Sequence, residues 1–444
     1  MTAPLAAPAL LARARLPRWC LPADWPGVAA IPALADIALA GGRLASIRPS
    51  GETLAQGVWD LAGAPVLPGL VDAHTHIDKT FTLARAPAIK PGLLGAIEAM
   101  MKDKLGWTHD DVRARADRAL AWAFEAGVVH LRSHVDWWEP LATPLAWPVL
   151  RELAEEWSGK IVLERVNLSP LPLYAERDQA MALAKAVAAG GPGARLGGFV
   201  HTTQWNPQAL RHLFAAAQAF DLDVDLHVDE ELAPAAVGLK ETASLLREIG
   251  FAGRVVCGHG CALAAQDESL ALATLDAVAR VPITLVSLPI TNLLLQDAQI
   301  GRTPRQRGLT LVQEARERGI PLLIASDNVQ DAFCAVGSYD PVEALAAGVL
   351  AGQLAPAFDT WSETLCRADW LTRAPAAAAP ALAGGRADLV VFTRADAQGW
   401  PSRAQDRVVL RDGRVAAGRV PDAWAGASSV AAAPAPSPTL RRLA

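Results

Sequence analysis

The chain has 444 residues, 52% of them hydrophobic, and a formal net charge of −5 at pH 7. This length and hydrophobic content are enough for a large folded core, which excludes wholesale disorder, and the slightly acidic balance argues against a nucleic-acid partner. The five cysteines form an odd, scattered set, which is typical of a reducing compartment and not of a disulfide framework.

Nothing in the sequence predicts a membrane segment. It contains no apolar run of about 18 residues, the least that a membrane-spanning helix needs. The arginines near the N-terminus follow an apolar patch instead of preceding it, which is the reverse of a secretory signal. We therefore expect a soluble, cytoplasmic protein with no membrane partner.

The first part of the chain reads as β structure. The segment ADIALAGGRLASI, residues 35–47, predicts two strands joined by a Gly-Gly turn. Short apolar runs broken by glycine and proline surround this hairpin. We expect residues 1–66 to form the N-terminal part of a small β domain.

Strands and helices alternate over residues 67–375. One helix is predicted to begin at the N-cap residue Thr108 and to end at Gly127. Alternation of this kind implies a parallel sheet, and eight units favour a closed (β/α)8 TIM-type barrel over an open, doubly wound sheet, which is the alternative. The eight strands are predicted within residues 65–76, 128–136, 160–168, 194–200, 222–230, 254–260, 281–289 and 320–328.

The end of the chain returns to β structure. Asp412 and Gly413 predict a hairpin turn between two short apolar strands. We expect residues 376–425 to complete the small β domain as a sandwich built from both chain ends. Residues 426–444 are of low complexity and are predicted to be a disordered tail.

Reactive side chains of a barrel lie at the carboxyl ends of its strands. In this sequence the predicted ends carry histidine and acidic residues on five strands. A polar stripe on the second strand suggests a wet, functional barrel interior near that end. The residues at the strand ends are His74, His76, His134, Asp136, His227, Asp229, Glu230, His259 and Asp327.

The pair His74 and His76 suggests a metal site. Side chains two residues apart point to the same face of a strand, so both imidazoles can hold one ion. His227 would be a third ligand and Asp327 a fourth, which leaves an open position, as in a catalytic site. Imidazole suits Zn²⁺ or Fe²⁺. The alternative for any lone histidine is a hydrogen-bonded core residue, and Asp136 and Asp229 could orient histidines instead of binding metal.

An ordered set of motifs resembles the amidohydrolase superfamily, and within it the cytosine deaminase branch. The resemblance extends over residues 30–420 and implies a distorted (β/α)8 barrel with a small β domain. The motifs are LPGLVDAHTHIDKT, HLRSHVD, DLHVDE, CGHG, LPITNLLLQ, GRTPRQRGLTLVQEARERGI and ASDNVQDAF.

The resemblance implies a role for each matching residue. His74, His76, His227 and Asp327 match the ligands of one divalent ion, Zn or Fe. Glu230 matches a proton shuttle to the ring nitrogen of the substrate, and His259 matches a histidine that positions or activates the hydrolytic water. Asp327 would also accept the proton of that water. The candidate pocket walls are Trp137, Trp138, Leu288, Asn292 and Asn328, of which Trp137, Asn292 and Asn328 are the predicted substrate contacts.

The sequence departs from the branch at two places. Ser169 and Pro170 stand where members that act on cytosine carry a glutamine, and Asn328 stands where the family often has a second aspartate. Both departures concern recognition of the substrate and leave the hydrolytic residues intact. Lys79 follows the histidine pair in a predicted loop, where a substrate contact is expected.

We therefore expect hydrolytic deamination of a small N-heterocycle, cytosine-like, with release of ammonia. One alternative keeps the fold and the metal but removes an alkylamine from a triazine or opens a ring amide. Another is a barrel that binds a ligand without catalysis. Barrels of this family commonly assemble into oligomers, so a homo-oligomer is one option for this chain.

Overall fold

A computed structural model describes residues 7–22, 25–26, 34–51, 57–86, 89–139, 142–373 and 384–425. Within these ranges the strands are β1 (Leu10–Arg15), β2 (Leu34–Ala40), β3 (Arg43–Pro49), β4 (Val58–Asp60), β5 (Val66–Pro68), β6 (Leu70–Thr75), β7 (Val128–Asp136), β8 (Val162–Leu168), β9 (Ala194–Val200), β10 (Val224–Val228), β11 (Val255–His259), β12 (Ile283–Ser287), β13 (Leu322–Ile324), β14 (Leu389–Phe392), β15 (Arg407–Arg411) and β16 (Arg414–Ala417).

The α-helices of the same ranges lie mainly between the barrel strands. They are α1 (Leu93–Lys104), α2 (His109–Ala126), α3 (Ala146–Glu156), α4 (Arg177–Ala188), α5 (Pro207–Ala219), α6 (Gly238–Ile249), α7 (Glu268–Val278), α8 (Pro289–Leu295), α9 (Val312–Glu317), α10 (Pro341–Gly352), α11 (Ala368–Leu371) and α12 (Asp422–Ala425).

Strands β6 to β13 form a parallel sheet in which each strand lies beside the next one in the sequence. The two edges of this sheet meet through a parallel bridge between Thr75 and Asp327, and the Asp327 N–H donates to the His74 carbonyl oxygen at 2.9 Å. The (β/α)8 barrel is thus confirmed, and the open sheet is excluded.

The predicted ends of helix α2 are confirmed. The Thr108 hydroxyl accepts a hydrogen bond from the Asp111 backbone N–H at 3.2 Å, which satisfies one of the unpaired donors of the first turn. Gly127 ends the helix in the left-handed conformation with φ of 105°. A Cβ atom there would lie 2.4 Å from Val390 Cγ2, so glycine also lets the barrel approach strand β14.

Both chain ends contribute to two four-stranded sheets beside the barrel. One sheet has the order β3-β2-β1-β4 and the other the order β16-β15-β14-β5. They share a separate apolar core that includes Leu11, Val66, Leu389 and Val408, all fully buried. The predicted sandwich of β structure from both ends is confirmed, including the hairpins at Gly41-Gly42 and Asp412-Gly413.

The exact limits of the small domain stay a prediction. Strand β5 pairs with β14 and crosses the predicted boundary at residue 66, so we propose that the N-terminal part extends to Pro68. The predicted tail, residues 426–444, lies outside the described residues, as do residues 376–383.

Two further sequence predictions concern the cysteines and membrane-spanning helices. All five cysteines are buried and free. In the described parts of the chain, no helix combines the length and the apolar character that a bilayer crossing requires.

Strand β9 contains a glycine that the barrel requires. A Cβ atom on Gly197 would stand 2.2 Å from the Asn167 carbonyl oxygen and 2.4 Å from Val166 Cγ1. Because the first neighbour is backbone of an adjacent strand, Gly197→Ala should lower the free energy of unfolding by ~1–3 kcal/mol, the usual effect of overpacking. The midpoint of thermal unfolding measures this loss.

Gly51→Ala is the control, because Gly51 is exposed and a Cβ atom there would have no atom of the described residues within 4 Å. Equal midpoints for the two variants would contradict the close packing of β9 against β8.

Candidate active site

Four side chains converge at the carboxyl end of the barrel. His74 Nε2 lies 3.1 Å from His227 Nε2, and His227 Nε2 lies 3.3 Å from His76 Nε2. Asp327 Oδ1 lies 3.2 Å from His76 Nε2 and 3.7 Å from His74 Nε2. The four side chains are buried. His74, His76 and His227 form, with His134, one group whose nitrogens could hold a metal ion, and Asp327 forms a second such group with His74 and His259.

This set fits a divalent cation. Ligand atoms at roughly 2.0–2.1 Å from a tetrahedral ion stand about 3.4 Å from each other, which is close to the separations above. Both carboxylate oxygens of Asp327 are buried and have no hydrogen-bond partner among the described residues. An unpaired buried carboxylate is strongly unfavourable, so the position calls for a positive charge.

The backbone around the ligands is specialised. Asp327 and His259 both adopt left-handed conformations, with φ of 63° and 70°. The glycine that precedes His259 is required by packing, because a Cβ atom on Gly258 would lie 2.9 Å from His74 Nδ1. The CGHG motif therefore makes room for the His74 ring as well as supplying His259.

The polar residues of strand β7 have two kinds of surroundings. Arg132 is fully buried and donates to Glu164 at 2.8 Å and to Asp225 at 2.7 Å. His134 Nε2 contacts the other Asp225 oxygen at 3.1 Å, and the His134 ring lies 4.0 Å from that of His74. Arg132 and His134 thus belong to a buried layer of polar contacts next to His74, whereas Asp136, the last residue of the stripe, lines the cavity described below.

Glu230 and His259 lie beside the ligands. His259 Nδ1 is 3.4 Å from Glu230 Oε1 and 3.1 Å from Asn292 Nδ2. An amide nitrogen can only donate, so His259 Nδ1 accepts this hydrogen bond, and the neutral ring carries its proton on Nε2. That nitrogen is buried and has no partner within the described ranges. Asn292 therefore orients His259 and does not line the cavity itself.

Burial controls the protonation of these two groups. Burial, followed by the charge of Asp327, raises the pKa of Glu230 well above its usual value. Burial also lowers the pKa of His259 to about 4. Burial therefore favours the protonated form of Glu230 and the neutral form of His259.

A small cavity of about 30 Å³ opens next to these residues. Apolar side chains from the loops and from α1 form much of its wall, while Glu230, His259 and Asn328 supply polar groups. The lining residues are His76, Lys79, Leu93, Ile97, Met100, Asp136, Trp138, Leu168, Pro170, Phe199, His227, Glu230, His259, Asn328 and Phe333.

The predicted substrate contacts take different places. Asn328 lines the cavity and donates through Nδ2 to Asp331 at 2.6 Å. Trp137 does not line it: its ring is buried against Trp147, 5.3 Å between ring centres, and the next residue, Trp138, lines the cavity instead.

The two departures noted in the sequence also have distinct surroundings. Pro170 lines the cavity, whereas the Ser169 hydroxyl accepts a hydrogen bond from Asn167 Nδ2 at 2.8 Å. Asp229 does not approach the ligands as an orienting group. It accepts hydrogen bonds from the backbone N–H groups of Gly238 and Leu239 at the start of helix α6.

Sequence reasoning missed one prominent contact. Lys79 Nζ donates to Asp136 Oδ1 at 2.7 Å, and both side chains are almost fully buried. Burial alone would lower the pKa of Lys79, but the charges of Asp136 and Asp78 outweigh it and raise that pKa. The two residues are 57 positions apart in the sequence, and no local pattern links them.

Known proteins resemble this chain over most of its length. A pterin deaminase of Rhizobium rhizogenes (strain K84 / ATCC BAA-868) is 37% identical over 394 residues, which cover 87% of this chain and 89% of the relative. An N-isopropylammelide isopropyl amidohydrolase of Pseudomonas sp. (strain ADP) is 26% identical, with 69% of this chain and 74% of the relative covered.

The fold has close counterparts among solved structures. A 5-methylcytosine deaminase from Klebsiella pneumoniae, liganded with 5-fluorocytosine, superposes with a TM-score of 0.76 at 22% identity, covering 93% of this chain and 98% of that one.

The family model of the amidohydrolases matches residues 57–200 and 174–417, which together span the barrel and the C-terminal strands. With the relative that shares 37% identity, this match shows that the chain belongs to the amidohydrolase family.

Proposed function

We propose that this protein hydrolytically removes an amino group from a small amino-substituted N-heterocycle and releases ammonia. The observation that carries the proposal is the placement of a buried acid, Glu230, beside four convergent metal-ligating groups. The relatives support it, since one is a pterin deaminase and the fold matches a 5-methylcytosine deaminase. The chain is accordingly an amidohydrolase that acts on C–N bonds of ring compounds.

The alternative leaving group is an alkylamine. The N-isopropylammelide isopropyl amidohydrolase supports this alternative, but it is only 26% identical to this chain. The pterin deaminase is 37% identical and therefore carries more weight. The proposed substrate is therefore a primary amine on a ring carbon, of the pterin or cytosine kind.

The residues that would hold the cation are His74, His76, His227 and Asp327, and both Zn²⁺ and Fe²⁺ suit this donor set. Such an ion supplies a hydrolytic nucleophile at neutral pH by lowering the pKa of water from about 15.7 to about 7. Asp327 has a second buried oxygen, Oδ2, without a partner among the described residues, and this atom can take up a proton of the attacking water. Returned to the amino nitrogen, this proton lets the C–N bond break with release of ammonia, while the added hydroxyl gives its own proton back to Glu230 and becomes the ring carbonyl.

Proton transfer to the substrate falls to Glu230. Its raised pKa keeps a proton available for the ring nitrogen next to the attacked carbon, so that negative charge does not accumulate there. His259 Nε2–H, fixed by Asn292, can donate a hydrogen bond to the oxygen that is added to that carbon. The apolar walls of the cavity exclude bulk water and strengthen these interactions.

The first prediction concerns Glu230. Glu230→Gln keeps the size of the side chain but removes the transferable proton, so kcat for ammonia release should fall by ~10²–10⁴-fold, the usual share of general acid–base catalysis. Ammonia release is measured from pterin, cytosine and an alkylamino-triazine at defined metal loading. Wild-type activity on the first two is expected.

The same panel discriminates the alternatives. Alkylamine release without ammonia release would contradict the proposed reaction, and unchanged turnover by Glu230→Gln would contradict the role of Glu230. Glu231→Gln, one position along, is the matched control, because Glu231 binds Thr202 and does not line the cavity.

The second prediction concerns the metal. His227→Ala should lower the bound divalent metal to well below one ion per chain, because one of three imidazole ligands is lost. His109→Ala should leave the metal content unchanged, since His109 is exposed and contacts Asp110 and Glu152. Elemental analysis of both purified variants measures the number of divalent metal ions bound per chain. Full metal occupancy in His227→Ala would contradict the ligand set.

The third prediction concerns the orientation of His259. Asn292→Asp replaces a donor by an acceptor, which reverses the tautomer that His259 adopts, whereas Asn292→Ala only removes the contact. We expect kcat to fall by about 10–100-fold in Asn292→Ala, as for other residues that orient a functional histidine, and further in Asn292→Asp, with KM little changed. Equal kcat values for wild type and Asn292→Asp would contradict the proposal that Asn292 orients the His259 ring.

A further inference from the structure

The Lys79–Asp136 pair has unused hydrogen-bonding capacity. Within the described ranges, Asp136 Oδ1 is the only acceptor that Lys79 Nζ contacts, although an ammonium group has three hydrogens. Asp136 Oδ2 is buried and has no partner among the same residues. Both side chains line the cavity. A purely structural ion pair would be expected to satisfy these groups, because unsatisfied buried polar atoms destabilise the fold.

A second unpartnered group borders the same cavity. Trp138 Nε1 is buried, and none of the described residues accepts its hydrogen. The Trp138 ring forms part of the wall, as do the rings of Phe199 and Phe333. Phe333 also lies under the ammonium group, with Lys79 Nζ 5.1 Å from its ring centre. The wall therefore combines flat apolar rings with a tryptophan whose N–H has no acceptor among the described residues.

The chemistry of these groups defines a complementary ligand edge. Lys79 offers N–H donors directly beside Asp136, whose free oxygen is an acceptor. The complement is an acceptor beside a donor, which is the O=C–N–H edge of a lactam in an oxo-substituted ring. The Trp138 N–H complements a further ring nitrogen or oxygen, and the aromatic walls suit a planar ring system.

We propose that Lys79, Asp136 and Trp138 determine specificity by reading the lactam edge and one further acceptor of a fused bicyclic amino-oxo heterocycle of the pteridine type. This inference rests on the proposed function, because it names the substrate class of the same site. A pterin deaminase is among the relatives of this chain, which supports a substrate with two fused rings. Lys79 and Asp136 bind the substrate and do not take part in proton transfer.

The test compares two ligands that differ only at this edge. Pterin has the lactam, whereas 2,4-diaminopteridine has an amino group and an unprotonated ring nitrogen, so its donor and acceptor are exchanged. Kd is measured from the fluorescence of each ligand, with metal-loaded Glu230→Gln protein as the background so that turnover is suppressed. We expect the Glu230→Gln protein to bind pterin at least ~10²-fold more tightly than 2,4-diaminopteridine, because the exchanged donor and acceptor of 2,4-diaminopteridine leave the charged groups of Lys79 and Asp136 unpaired.

Variants then identify the residues. Lys79→Met and the double variant Lys79→Met/Asp136→Leu should reduce this preference to within about 3-fold, since the charged donor and acceptor are removed. The double variant avoids a lone buried carboxylate and so preserves folding. Trp138→Phe should weaken binding of both ligands about equally. Trp137→Phe is the matched control, because Trp137 packs in the core, and it should retain the full preference. Metal content and thermal midpoint are recorded for every variant.

The outcomes separate the two proposals. If the double variant folds, holds its metal and keeps the preference for pterin, the pair is structural and the inference is overturned. An absent preference in the Glu230→Gln background overturns it as well. If the preference depends on Lys79 and Asp136 but wild-type protein releases no ammonia from pterin, the inference stands and the proposed reaction fails. If wild-type protein releases ammonia from pterin but the preference does not depend on Lys79 and Asp136, the proposed reaction stands and the inference fails.

Discussion

The closure of the barrel is the constraint on which the site depends. Thr75 and Asp327 form the bridge that joins the first barrel strand to the last, and the Asp327 N–H binds the His74 carbonyl oxygen at 2.9 Å. The same two chain segments carry three of the four converging ligands. A shift of one residue at this seam would turn the ligands to the wrong face, because side chains alternate along a strand. The closure of the barrel and the placement of these three candidate ligands therefore depend on the same contact.

Buried ion pairs lie next to the candidate metal ligands. Arg132 donates to both Glu164 and Asp225, and Arg195 also pairs with Glu164. Asp225 in turn contacts His134, whose ring lies next to that of His74. Such buried pairs contribute little net stability, but loss of one partner is strongly destabilising, so they favour one arrangement of the side chains. The Lys79–Asp136 pair differs from this layer because both of its residues line the cavity and one of its carboxylate oxygens has no partner among the described residues.

Much of this could be predicted from the sequence, because strand alternation and helix capping are local. The eight barrel strands, the cap at Thr108 and the hairpin at Gly41-Gly42 follow from patterns within a few residues. The same alternation does not extend past a strand end, which is why it could not decide whether Trp137 or Trp138 faces the cavity. Contacts between loops, such as Lys79 with Asp136, depend on the assembled fold and leave no local pattern.

The most direct test of the central claim is X-ray absorption spectroscopy of the metal-loaded protein. Ligation by His74, His76, His227 and Asp327 predicts one ion per chain whose nearest shell contains only nitrogen and oxygen, at roughly 2.0–2.2 Å, with the outer scattering of imidazole rings. A sulfur shell at about 2.3 Å, or a spectrum without imidazole scattering, would contradict it.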